Sequence, residues 1–151
     1  MARVAIDPHM FGEAWFAEIR GELLKSRNVR FSFSGLLQEH IEISRRKDVL
    51  TFYKLVGELN RRDDAHQPTA KRNEENLVVD QHWVQNKSIC DDPHIFALVK
   101  SLPTKYVFTL DLRMVKCRDC LRGKIDNNYL RFSAITTATA YESNRVDILA
   151  P

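Results

Sequence analysis

The stretch that most constrains the fold is Cys90–Asp111, which reads CDDPHIFALVKSLPTKYVFTLD. After Asp92, apolar residues recur at helical spacing up to Pro103, so this part predicts a helix with one buried face. The β-branched and aromatic run Tyr106–Leu110 then predicts a buried strand that ends at Asp111. Helix starts and strand ends can meet at one edge of an α/β sheet, so we expect the two carboxylates to meet there.

The N-terminal part of the chain repeats this pattern of strand, acid and helix. A short apolar strand, Val4–Ile6, leads into Asp7 and then into a predicted helix over residues 9–25. A second strand, Val29–Ser34, leads into a helix that carries Glu39 near its start. The sequence therefore predicts an acidic side chain near the same sheet edge at each of these junctions.

The order of these acids resembles that of the PIN-domain family of metal-dependent nucleases. In that family an aspartate follows the first strand, as Asp7 does, and a glutamate lies in the helix after the second, as Glu39 does. A later helix opens with an aspartate, matched by Asp92, and the next strand is followed by another, matched by Asp111. The resemblance covers residues 3 to about 120 and implies a three-layer α/β/α fold with a central, mainly parallel sheet.

The same resemblance implies an activity and its partners. PIN proteins are Mg²⁺- or Mn²⁺-dependent endoribonucleases; many are toxins of toxin–antitoxin pairs, restrained by an antitoxin protein, and they commonly form homodimers. Two positions depart from the family pattern: His9 stands where many members have a small polar residue, and Leu112–Met114 carry no acid after Asp111. The alternative function is a PIN-like module that binds RNA or a protein without cutting.

Clustered carboxylates need a compensating cation, because like charges repel and raise one another's pKa. Mg²⁺ and Mn²⁺ prefer carboxylate and water ligands, and such an ion can activate water for phosphodiester hydrolysis. In this interpretation Asp7 is the central ligand, Asp92 and Asp111 share the same or a second ion, and Glu39 binds a second ion or a water. All four residues are thus candidate catalytic residues and metal ligands.

A structural interpretation of each acid stays open at this point. Asp7 and Asp92 each precede a proline and so also suit a helix N-cap, while Asp111 suits a turn and Glu39 a solvated helix face. Asp91 and Glu42 are the nearest rivals of Asp92 and Glu39. His9 and His94 each lie two residues after a candidate acid, so both are candidates to contact a phosphate, although packed or surface histidines are more common.

The rest of the chain predicts one domain over residues 1–151. The predicted helices are one over 35–43, an amphipathic helix opened by Asp48, a short helix over 77–86 with Trp83 packed inward, and a helix from 112 to near Gly123. Residues 61–76 are predicted to form a solvated loop or two projecting helix ends. The last predicted elements are a strand over 132–141 and an edge strand over 146–149.

Composition limits the expected compartment of the protein but does not identify a partner. The net charge of +3 is mildly basic, and with neither an apolar leader nor a membrane span we expect a cytoplasmic protein. Three cysteines do not suggest a disulfide framework, and the Cys117/Cys120 pair is expected to be two thiols on or under a helix rather than a zinc site. The basic run over 113–131 predicts either a nucleic-acid backbone contact, through Arg113, Lys116, Arg118 and Arg122, or a solvated face.

Overall fold

Five strands pair into one sheet in the computed structural model, which describes residues 1–151. The strands are β1 (Ala2–Ile6), β2 (Val29–Phe33), β3 (Arg62–Asp64), β4 (Tyr106–Phe108) and β5 (Ser133–Ile135). Their spatial order is β3-β2-β1-β4-β5, and every neighbouring pair is parallel. The prediction of a parallel α/β sheet is confirmed, with β1 and β4 side by side and Val4 in register with Tyr106.

Helices cover both faces of this sheet. They are α1 (Ala14–Lys25), α2 (Leu37–Ser44), α3 (Lys47–Glu58), α4 (Gln67–Val78), α5 (Gln81–Gln85), α6 (Pro93–Ser101), α7 (Leu112–Leu121) and α8 (Ala138–Leu149), with 3₁₀ turns at Pro8–Gly12 and Asn127–Tyr129. Val4 joins one buried apolar cluster with residues of α1, α3 and α8, whereas Ala5 joins a second with residues of α4 to α7. Because successive side chains of a strand point to opposite faces, the sheet is the middle of three layers.

The strand order places a crevice in the middle of the sheet. From β1 the chain proceeds to β2 and β3 on one side, and later to β4 and β5 on the other. Open parallel sheets bind ligands at such a point of reversal, beyond the carboxyl ends of the strands. Asp7 follows β1 there, and Asp111 lies three residues beyond the end of β4.

The prediction of a solvated loop over 61–76 is wrong, because this stretch forms β3 and most of α4. Helix α4 packs against α6 and buries Ala70, Asn73 and Leu77. The Asn73 amide donates to the Ser101 hydroxyl at 2.8 Å, so a polar side chain occupies an inward position. An inward face made of a small, a polar and only one large apolar residue carries a weak periodic signal.

The two strands predicted near the C-terminal end also differ from the structure. The strand predicted over 132–141 is limited to β5, and the edge strand predicted over 146–149 is the last turn of α8. The Thr137 hydroxyl accepts from the backbone N–H of Ala140 and so caps this helix. Tyr141 and Ile148, two turns apart, are buried in the core, and this packing outweighs the β-branched character of the segment.

The cysteines also differ from expectation. Cys90 and Cys117 form a disulfide across 27 positions, while Cys120 is exposed and unpaired. Cys117 lies on the buried face of α7, but its disulfide partner is Cys90, a neighbour in the tertiary structure, rather than the nearby Cys120. None of the helices has both the length and the apolar character that a membrane crossing requires.

Candidate active site

A cavity of about 420 Å³ opens where β1, β2 and β4 end. All four acids predicted from the sequence line it: Asp7, Glu39, Asp92 and Asp111. Two of them follow strand ends and two belong to helix starts, at α2 and α6. The structure therefore brings together four carboxylates that are up to 104 positions apart in the chain.

The buried Thr109 joins the two strand-end acids. Its hydroxyl donates to Oδ2 of Asp7 at 3.1 Å and accepts from the backbone N–H of Asp111 at 3.0 Å. The backbone N–H of Asp7 in turn donates to the carbonyl of Phe108 at 2.8 Å. These bonds hold the ends of β1 and β4 together, so the positions of the two acids are coupled.

Both strand-end acids also cap the turns that follow them. Oδ1 of Asp7 accepts from the backbone N–H of His9 at 3.2 Å, at the start of the 3₁₀ turn. Oδ1 of Asp111 accepts from the backbone N–H groups of Arg113 and Met114 at 2.9 and 3.3 Å. The capping role and the cavity position therefore coexist, and Oδ2 of Asp111 accepts no hydrogen bond from the protein.

Glu39 is the most enclosed of the four acids, with 9% of its surface exposed. Its two carboxylate oxygens accept from the backbone N–H groups of Ser34 and Gly35, each at 3.0 Å. Gly35 has φ +71°, a conformation that other residues seldom adopt, and this turn directs its N–H towards the carboxylate. Burial raises the pKa of Glu39, and the two backbone hydrogen bonds offset only part of that effect. Glu39 thus stabilises the β2–α2 turn as well as lining the cavity.

Asp92 is not a helix cap, because its side chain accepts no hydrogen bond from the backbone of α6. Its Oδ1 instead lies 2.7 Å from Nδ1 of His94, whose residue surface is 5% exposed. Nε2 of His94 lies 3.8 Å from Oε2 of Glu42. The histidine therefore bridges two carboxylates inside the cavity wall.

Opposing effects act on the protonation of His94. Burial is the largest single effect and would lower the pKa of His94, but the hydrogen bond and the charge of Asp92 oppose it. Glu42 and Glu39 add to this, and the pKa rises to about 9. His94 is consequently an imidazolium at neutral pH and supplies one positive charge to the acidic cavity.

The structure distinguishes between the neighbouring acids that the sequence left as alternatives. Asp91 does not line the cavity and forms an ion pair with Arg113 at 3.0 Å, so Asp92 is the acid of this pair that belongs to the site. Glu42 lines the cavity together with Glu39, because residues three apart share a helix face. His9 and His94 line it as well. The three-residue spacing in the sequence was enough to predict that Glu42 lines the cavity together with Glu39. The contacts of His94 give no such signal, because its partners come from two separate segments of the chain.

The carboxylate oxygens at this cavity are of the chemical type that Mg²⁺ and Mn²⁺ bind. No three His, Cys, Asp or Glu side chains are grouped so that they could hold an ion by themselves. Mg²⁺ seldom uses such a cage, however, and is usually bound by one or two carboxylates together with waters and substrate phosphates. Asp7, Asp92 and Asp111 offer carboxylate oxygens of that kind at one cavity.

Ion pairs account for three of the six cations in the basic run over 113–131. Arg113 pairs with Asp91, and Arg118 and Arg122 both pair with Asp119. Arg118 also donates to the carbonyl of Phe132 at 2.9 Å. Of the four cations expected to contact a nucleic acid, only Lys116 lacks an acidic partner, which favours the solvated-face interpretation for this run.

The fold and the cavity define a class: a three-layer α/β domain with an acidic site at the point where its strand order reverses. Comparison with models of protein families, with curated proteins and with solved structures finds no match to this chain.

Proposed function

We propose that this protein is a Mg²⁺- or Mn²⁺-dependent endoribonuclease of PIN type. The observation that carries the proposal is the convergence of Asp7, Glu39, Asp92 and Asp111 on one cavity at the reversal point of a parallel sheet. Asp7, Asp111 and Glu39 also stabilise the turns beside them, but those local hydrogen bonds do not require all four carboxylates to face one cavity. The resemblance to PIN domains noted in the sequence provides the reaction class.

Some residues of the chain would bind the ion, and others position those ligands. Asp7, Asp92 and Asp111 would hold the ion, and Thr109 positions the first and last of these. His94 holds the Asp92 carboxylate through Nδ1. When bound, a divalent ion orients and acidifies a water and stabilises charge on the phosphate.

A second candidate function is a PIN-like module that binds RNA or a protein without cutting. The observation that favours it is His94, because its imidazolium already neutralises part of the acidic charge that would otherwise attract a metal. An antitoxin-like protein partner and a homodimer remain proposals based on the PIN resemblance.

A cytoplasmic location also remains a proposal. The Cys90–Cys117 disulfide weighs against it, because cytosolic thiols are normally kept reduced. The redox state of the two cysteines in cells would decide between a reducing and an oxidising compartment.

Cleavage of a fluorescein-labelled, single-stranded RNA in Mg²⁺, in Mn²⁺ and in EDTA tests the proposed activity. We expect the wild-type protein to cut with either metal, and D92N to lose more than about 100-fold in rate, since even second-shell losses cost 10–100-fold. D91N is the matched control, because Asp91 is the adjacent acid but lies outside the cavity. Wild-type rates in D92N would disprove the site, and RNA binding without cleavage by the wild type would favour the binding module.

A further inference from the structure

We propose that a groove beside the acidic cavity binds the phosphate backbone of single-stranded RNA. This basic groove is lined by Arg20, Arg46, Lys47, Asp48 and Thr51. The proposal rests on the proposed function, since it assigns a path for the strand that the cavity would cut.

The basic groove lies next to residues that line the acidic cavity. Phe11 lines the cavity, and the Arg20 guanidinium carbon lies 4.7 Å from the centre of its ring. A Cβ placed on the next residue, Gly12, would lie 3.8 Å from a guanidinium nitrogen of Arg46. Val49 lines the cavity only two positions after Lys47. A strand leaving the cavity past Phe11 would therefore reach these cations immediately.

Cations in the basic groove are available to a ligand. Arg20 and Lys47 form no ion pair, whereas Arg46 pairs with Asp48 at 3.2 Å. Three cations and one acid leave the groove with a net charge of +2. Because the cavity itself repels a polyanion, cations beside it would offset that repulsion and hold the phosphates next to the cut.

The contacts favour a single strand over a duplex. Sites for single-stranded nucleic acids combine cations that follow the backbone with aromatic rings against which bases pack. Phe11 is half-buried at the junction of the basic groove and the cavity, and the Arg20 guanidinium occupies part of its surroundings. An unstacked base at this junction would meet the planar Arg20 guanidinium, which itself lies over the Phe11 ring.

Fluorescence anisotropy of a labelled single-stranded RNA in EDTA measures this binding without cleavage. The test variant is R20Q/K47Q, and the matched control is K116Q/K124Q, which removes the same charge from two exposed, unpaired lysines elsewhere. Each lost phosphate contact lowers the salt slope by about 0.7 for a single strand. We therefore expect R20Q/K47Q to lower the slope by about 1.4 and to weaken binding about ten- to thirtyfold near 0.1 M salt, with the control unchanged.

Each outcome separates the basic groove from the proposed activity. Equal weakening by both double variants would mean a general charge effect and would overturn the groove, as would wild-type affinity in R20Q/K47Q or no RNA binding by the wild type. If the wild type binds RNA through these residues but does not cut it in Mg²⁺ or Mn²⁺, the groove stands and the nuclease fails. If it cuts RNA while R20Q/K47Q binds normally, the nuclease stands and the groove fails.

Discussion

Glu39 and Glu42 show how two acids of one cavity differ in what holds them. Glu39 accepts a backbone hydrogen bond at each carboxylate oxygen and is nearly enclosed. Glu42 accepts from the Gln38 side chain at 3.1 Å and keeps 25% of its side chain exposed. We therefore expect substitution of Glu39 to affect the stability of the fold as well as the site, and substitution of Glu42 to affect mainly the site.

We predict that E39Q lowers the free energy of unfolding by about 1–3 kcal/mol, the cost of an unsatisfied buried polar group. A glutamine amide would turn its NH₂ group towards one of the two backbone N–H donors of Ser34 and Gly35. Urea unfolding at neutral pH measures the effect. E42Q is the matched control and should change stability by less than about 1 kcal/mol. Equal effects in the two variants would contradict the structural role of Glu39.

At the scale of elements, the disulfide joins the segment that leads into α6 to helix α7. Cys90 lies two positions before Asp92 at the start of α6, and Cys117 lies in α7, six positions after Asp111. The bond therefore limits the separation of two cavity acids. It also closes a loop that includes all of α6 and β4.

We predict that reduction of Cys90–Cys117 lowers the free energy of unfolding by about 2–4 kcal/mol, because the cross-link restricts the unfolded chain. Urea unfolding with and without a phosphine reductant measures the difference. C120S, which removes the one free thiol, should behave like the wild type. Alkylation of the unfolded protein should label one cysteine before reduction and three after it; three labels without reduction would disprove the bond.

At the scale of the whole molecule, one acid links three strands of the sheet. Asp63 in β3 forms ion pairs with Arg30 in β2 at 2.8 Å and with Arg3 in β1 at 3.0 Å. The hydrogen bond from Arg30 holds the pKa of Asp63 below its ordinary value, with a smaller contribution from Arg3 and an opposing one from burial. This contact joins segments about 60 positions apart, so its stabilisation belongs to the assembled sheet.

We predict that the stabilisation provided by the Asp63 ion pairs depends on pH. Because the folded-state pKa of Asp63 is lowered, its stabilisation is complete above the unfolded-state value of about 3.9 and is lost as the pH falls through the folded-state value. D63N should therefore be about 1–2 kcal/mol less stable than wild type at pH 5–7, with a smaller gap at pH 3. Urea unfolding at each pH checks this. D64N, which alters the exposed pair with Arg62, is the control.

The local pattern of residues determined the units of strand, acid and helix, and with them the four acids that line the cavity. Apolar periodicity is a property of neighbours in the chain, so β1, β2, β4 and α6 could be predicted from it. The rule that parallel strands end at one sheet edge then placed Asp7 and Asp111 together. No such signal existed for α4, whose inward face includes the amide of Asn73.

Tertiary structure alone decided the remaining features of the site. The charge on His94 depends on Asp92 and Glu42, and Glu42 reaches it from α2, more than 50 positions away. The Cys90–Cys117 bond likewise depends on the distance between α7 and the segment before α6, 5.1 Å between the two Cα atoms, which no spacing in the chain specifies. Electrostatic and covalent contacts of this kind depend on separation in space, which only the packed fold sets.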